Sequence, residues 1–308
     1  MYIVSSESET KTHDILNFMP RGIRQRLYGL KLEGLSEIRM RLSKPLTLCF
    51  SDGCYYIGRH SNLTTRPSGA LCVTRAHIDE AMEIATASSV YSVRDEIKNG
   101  FITVRGGHRI GITGTAVVKE DKVTFIKDVS ALCYRIANEV TGAADSVMPL
   151  ILDGGRVRST LIIAPPAAGK TTMLRDIVRQ LSRRSYSVSV VDERREIAAL
   201  SGGRSGFDLG HSADILEGAD KSWGMLTVLR SMSPDVIVTD EIGKREDVDA
   251  ISRALSSGVS VIATVHGRGV DMIKRRADLS HLLDYFELVV TLSRRNGAGT
   301  VEEAVTQW

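Results

Sequence analysis

The chain has 308 residues, 43% hydrophobic and 25% charged, with a formal net charge of +3 and a sequence pI near 8.6. Such a composition is that of a globular chain long enough for two cores, and its charge excess is too small to argue for a nucleic-acid partner by itself, although a cationic patch facing anionic lipid or RNA stays open. The longest apolar runs, such as Val259 to Val265, fall far short of the roughly 20 residues of a membrane span, and the opening MYIVSSESETKTHD lacks the basic start and apolar stretch of a signal peptide. The expectation is a cytoplasmic protein whose membrane role, if any, is peripheral. The cysteines Cys49, Cys54, Cys72 and Cys133 have neither the CxxC spacing nor the histidine partners of a zinc site, so reduced thiols are expected.

In chain order, Glu37–Leu42 alternates polar and apolar residues as a half-buried strand does. Leu46–Phe50, the turn signal Asp52-Gly53 and Tyr55–Ile57 then read as a hairpin. Thr74 opens an amphipathic helix to about Ser88, with Ile78, Met82 and Ala85 on its apolar face. From Phe101, three strand-like runs are separated by Gly106-Gly107 and by Lys119–Lys122. No helix follows these glycines, so they read as a hairpin turn and not as a dinucleotide fingerprint. This first part, residues 1–140, is expected to be a smaller α+β domain with antiparallel strands.

From residue 141 to 308 the pattern changes to alternating strands and helices. Strands are expected at Thr160–Ala164, Ser187–Val191, Val236–Thr239 and Val259–Val265, and helices at Lys170–Ser182 and Asp247–Leu255. Continuous apolar strands of this kind suit a parallel sheet covered on both faces. The fold class expected is therefore α/β.

The junction of the first such strand and helix reads Ala164, Pro165, Pro166, Ala167, Ala168, Gly169, Lys170, Thr171, Thr172. A strand, a loop of small residues and a helix N-terminus make a phosphate-binding cradle: backbone N–H groups point inward and the helix end adds partial positive charge. Gly169 permits close approach, Lys170 can reach the β- and γ-phosphates of ATP, and the hydroxyl of Thr171 can ligate Mg²⁺. Ala164 replaces the first glycine of the usual pattern. At a strand-to-loop junction it adds only a methyl group, and the cradle proper is intact. The partner element is Val236–Ile242 (VIVTDEI), where Asp240 would hold Mg²⁺ and Glu241 would polarise the attacking water. Asp192-Glu193 and His266 end two further strands, and in a parallel sheet these ends open on one crevice. His266 reads either as a γ-phosphate sensor or as a structural histidine.

The run GMLTVLRSMSPDVIVTDEIGKREDVDAISRALSSGVSVIATVHG resembles the Walker B to His-box region of type II and type IV secretion ATPases, with VVDERREIA in the place of their Asp box. Together with VYSVRDEIKNGFITVRGGHRIGITGTAVV and GKTTMLRDIVRQLS, the resemblance narrows to the stage III sporulation protein AA family. It implies a RecA-like P-loop core that binds and hydrolyses ATP with Mg²⁺. It also implies a homo-oligomer, expected to be a hexamer, engaged with membrane channel subunits of the sporulation apparatus between mother cell and forespore. The catalytic set implied is Glu241, Glu193 and His266, with the division of roles between Asp192 and Glu193 open. Arg105 and Arg109, flanking Gly106-Gly107, either act in trans on a neighbouring subunit's nucleotide, or simply solvate the hairpin or pair with Asp95 or Glu96. The alternative function is a RecA-like ATPase acting on nucleic acid, which the clusters Lys274-Arg275-Arg276 and Arg294-Arg295 keep open although no nucleic-acid-binding signature is present.

Overall fold

The computed structural model describes residues 14–86, 94–137, 139–276, 279 and 281–306. The opening segment, the expected helix end at Ser88 and the side chain of Asp95 lie outside the described part. The chain forms two compact units, residues 1–138 with 199–206, and residues 139–198 with 207–308.

The first unit is built on a seven-stranded sheet: β1 (Leu35–Arg41), β2 (Thr47–Phe50), β3 (Gly53–Ile57), β4 (Leu63–Thr64), β5 (Phe101–Val104), β6 (His108–Lys119) and β7 (Lys122–Arg135). Their order is β4-β3-β2-β1-β7-β6-β5 and every pairing is antiparallel. Helix Arg75–Ala85 begins where the hydroxyl of Thr74 accepts from the His77 N–H, and it buries Ile78, Ala81 and Ala85. Met82 lies at the edge of that face, only partly buried. Arg105 to Gly107 turn β5 into β6 with Gly106 and Gly107 both at positive φ, and segment 199–206 packs on this turn so closely that a Cβ at Gly206 would lie 2.3 Å from the Gly107 nitrogen.

One expectation is corrected here. Cys49 and Cys54 are joined in a disulfide, leaving Cys72 and Cys133 free. The reason is register: the turn after β2 sets Cys49 directly opposite Cys54 on β3, with Cα atoms 4.1 Å apart.

The second unit holds a small hairpin, β8 (Leu152–Asp153) with β9 (Arg156–Val157), and a second seven-stranded sheet. That sheet comprises β10 (Thr160–Ala164), β11 (Val188–Asp192), β12 (Ala213–Glu217), β13 (Val236–Thr239), β14 (Ser260–His266), β15 (Leu288–Ser293) and β16 (Thr300–Thr306). The order is β12-β11-β13-β14-β10-β15-β16, parallel except for the antiparallel edge strand β16. β10, β11 and β13 are buried along their whole length, as strands covered on both faces must be. Helix Lys170–Arg183 buries Met173, Leu174, Ile177, Val178 and Leu181. Helix Arg245–Ser256 starts where the Asp247 carboxylate accepts from the N–H groups of Gly243 and Lys244, and helix Lys221–Ser231 starts at the cap Asp220.

In the first unit the fully buried Tyr134 donates its hydroxyl to the Phe18 carbonyl at 3.0 Å. Replacing Tyr134 with Phe should leave that carbonyl unpaired and lower stability by about 1–2 kcal/mol. Urea unfolding checks this, with a lower midpoint and an unchanged slope expected.

Candidate functional site

The strand order makes β11, β13, β14 and β10 consecutive parallel neighbours, so their C-terminal ends lie side by side. Ala164 and His266, the last residues of β10 and β14, are paired in register. Fully buried Ala164 gives its carbonyl to the Gly267 N–H at 3.1 Å, and the Lys170 ammonium reaches the same carbonyl at 3.5 Å. The absence of bulk at 164 thus serves a junction packed into the sheet.

After Ala164 the loop bends back on itself. The Ala168 N–H donates to the Pro165 carbonyl, Ala167 has a positive φ of 57°, and Gly169 at φ 87° precedes the first helical residue Lys170. Gly169 is doubly constrained, because a Cβ there would also lie 2.9 Å from the nitrogen of Gly299. That nitrogen belongs to the turn between β15 and β16, and it donates to the Ala168 carbonyl at 2.9 Å. The loop is therefore supported from the far end of the chain. The first-turn N–H groups of helix Lys170–Arg183 have no intrahelical acceptor, and Pro165 and Pro166 supply none of their own, so the donors face outward from the second half of the loop. Such an arrangement can hold an anion.

Two strands away, Asp240 follows β13 and is only 4% exposed. Its Oδ1 makes no hydrogen bond and lies 3.4 Å from the Lys221 ammonium, an ion pair without hydrogen-bond alignment. Burial pushes the Asp240 carboxyl up to about 6, against the opposing pull of Lys221 and with the Asp192 charge adding to the rise. A buried carboxylate with an unfilled acceptor is a fitting ligand for a hard cation. Among the described residues no group of three or more His, Cys, Asp or Glu side chains could hold a metal, so a Mg²⁺ ion here would rely on Asp240, the Thr171 hydroxyl and the phosphates themselves.

The next residue, Glu241, has a φ of 28°, a strained conformation held from β14: its N–H donates to the Thr264 hydroxyl at 2.8 Å and the Ile242 N–H to the Thr264 carbonyl at 2.7 Å. The Glu241 carboxylate is paired with Arg194.

Asp192 and Glu193 have different surroundings. Fully buried Asp192 accepts from the N–H groups of Glu196, Ile197 and Ala198, all at 2.8 Å, and so shapes the loop after β11. Arg175, on the helix after the phosphate-type loop, seals the same loop by donating to the carbonyls of Glu196 and Ile197, with its guanidinium stacked 3.4 Å over Phe207. Glu193 instead reaches into the site and accepts from Lys221 at 3.2 Å. Lys221 and Thr264 are members of the site that motif reading missed. No motif spacing marks Lys221, and Thr264 lies within an apolar strand with no mark on it.

In the first unit, Arg105 is exposed at the β5–β6 turn. Arg109 is not presented at the tip: it lies on β6 with its guanidinium 5.0 Å from the Phe101 ring centroid. Glu96, one of its expected partners, accepts from the Thr103 N–H at 2.6 Å.

A family model described as "Sporulation stage III, protein AA" matches residues 9–307. The chain is 34% identical over 276 residues to stage III sporulation protein AA of Bacillus subtilis, covering 87% of this chain and 86% of that one. Among solved structures, the ATPase DotB of Legionella pneumophila superposes with a TM-score of 0.56 at 16% identity, over 89% of this chain and 76% of that one. The pilus retraction motor PilT with bound ADP gives 0.57 at 14%, over 87% and 76%. These likenesses give the second unit its fold class, a RecA-like P-loop core, which agrees with the α/β expectation. No helix among the described residues is long and apolar enough to cross a membrane.

The two acids after β11 should separate by experiment. Asp192→Asn places an amide among three backbone donors and should cost about 3 kcal/mol, whereas Glu193→Gln loses one partly exposed ion pair and should cost less than about 1 kcal/mol. Thermal unfolding of the two variants, compared with the unsubstituted protein, reads the difference directly.

Proposed function

The chain belongs to the sporulation stage III protein AA family, and from that premise we propose that it is a motor ATPase that drives assembly or operation of a channel apparatus between mother cell and forespore. One observation carries the reading. The loop after β10 and the acid pair after β13 flank the end of β14, which brings the proposed phosphate donors and the acidic groups to neighbouring strand ends. A decayed site would keep the fold and lose this convergence.

In this reading the loop Ala164, Pro165, Pro166, Ala167, Ala168, Gly169, Lys170, Thr171, Thr172 holds the phosphates of ATP. Lys170 leaves the Ala164 carbonyl for the β- and γ-phosphates, and Thr171 and Asp240 hold Mg²⁺. Bound Mg²⁺ supplies charge that offsets what builds on the transferring phosphoryl group. Glu241, freed from Arg194, orients a water and accepts its proton; Glu193 supports it from the next strand end. His266 senses the γ-phosphate. The protein works as a homo-oligomer, a hexamer, in the cytoplasm of the mother cell. It is held peripherally at the membrane by channel subunits, with residues 1–140 as the accessory domain and 141–308 as the ATPase domain. Arg105, and with less freedom Arg109, would supply charge to a neighbour's nucleotide.

Lys170→Ala removes a charge-assisted contact worth about 1.5–3 kcal/mol, so ATP affinity should fall roughly ten- to a hundredfold with the fold intact. Titration calorimetry measures it, and unchanged affinity would put the nucleotide elsewhere. Glu241→Gln should still bind ATP yet turn it over about a hundredfold more slowly. Wild-type phosphate release by that variant would move the catalytic role to another residue, with Glu193 the first to test.

A further inference from the structure

Lys221 is an unusual residue to find buried. It is the first residue of helix Lys221–Ser231, directly after the cap Asp220, and its side chain is 3% exposed. A lysine ammonium loses hydration on burial and needs compensating acceptors. It has three partners: hydrogen bonds to Glu193 Oε2 at 3.2 Å and to the Glu241 carbonyl at 3.1 Å, and an ion pair with Asp240 Oδ1 at 3.4 Å. These acceptors come from two neighbouring strand ends, after β11 and after β13, and each belongs to a residue with a role in the reading above. None of the three contacts lies in the helix that carries the lysine, so local helix stability does not account for its placement.

We propose that Lys221 is a positioning residue of the nucleotide site, an internal counter-cation whose ammonium holds Asp240, Glu193 and the Glu241 peptide together and competes with a divalent metal for Asp240. The inference rests on the reading of Asp240 as a metal ligand. Asp240 Oδ1 has no hydrogen bond, so the ammonium is its compensation, and a divalent cation bound there takes over that role. Two cations drawn to one buried carboxylate weaken each other's hold, and that coupling is reciprocal. On losing Asp240 the ammonium retains Glu193 and the Glu241 carbonyl. Metal binding at one strand end is thereby felt by the groups at both.

The test uses the full chain and Mg²⁺ alone, with thermal unfolding as the readout, followed by the Mg²⁺ concentration needed for half-maximal ATP binding. In the unsubstituted protein Mg²⁺ without nucleotide should leave the melting temperature nearly unchanged. Lys221→Met keeps the side-chain bulk and removes the charge. It should melt at lower temperature without metal, regain much of the loss on adding Mg²⁺, and need about tenfold less Mg²⁺ for half-maximal ATP binding. Lys221→Met with Asp240→Asn should regain stability without metal and show no Mg²⁺ response. A Lys221→Met protein with unchanged melting and an unchanged Mg²⁺ requirement overturns the proposal. So does one that melts lower with no response to Mg²⁺, since the lysine would then be merely structural. If Lys221→Met does not fold, recovery of folding in the double variant supports the proposal and continued failure overturns it. The Mg²⁺ response without nucleotide is independent of turnover, so failure of the ATPase reading, seen as unchanged ATP affinity in Lys170→Ala, is distinguishable from failure here.

Discussion

A carboxylate taken out of water must find a cation or a set of hydrogen-bond donors, and Asp240 is where this protein meets that demand with a cation. β10, β11 and β13 are buried from end to end, so the acidic groups gather where those strands stop. At the end of β13 the backbone turns through a strained Glu241 held by Thr264, and Asp240 is left inside with an open acceptor. Lys221 is the cation that makes such a position tolerable. An apolar replacement would pack better. The charge is retained where it is useful for chemistry, at a cost in stability.

The loop after β11 shows the same logic with a different solution. Asp192 is just as buried as Asp240, yet its oxygens are filled by three backbone N–H groups, and the loop they shape is sealed by Arg175 under Phe207. One acid of the pair is consumed in building and its neighbour Glu193 is left free to reach the site.

Most of the second unit's framework is legible from residues. Apolar runs at β10, β11, β13 and β14 and the small-residue loop before Lys170 follow from burial and from phosphate chemistry. β12 and β16 carry no such signal: ADILE and TVEEAVT are half-polar edge segments, and edges lack the continuous apolar signature of inner strands. The antiparallel character of the first unit was visible in its alternation and turn glycines. The pairing of Cys49 with Cys54 was not, because it depends on which residues face each other after a turn rather than on a motif spacing. Lys221 and Thr264 escaped for a related reason: their significance lies in three-dimensional neighbours that sequence order separates by about 20 residues.

The hairpin of β15 and β16 does two unrelated things. Its turn steadies the phosphate loop through Gly299, and its outer strand covers β15, whose sequence LVVTLS is buried almost throughout. β16 is a suitable outer layer because Glu302 and Glu303 charge it and discourage other strands from adding to it. Loss of this last strand by proteolytic trimming would therefore do more than loosen the nucleotide loop. It would bare a neutral, β-branched segment of the kind that seeds intermolecular sheets, so the damaged protein would leave solution as aggregate rather than persist in a loosened form.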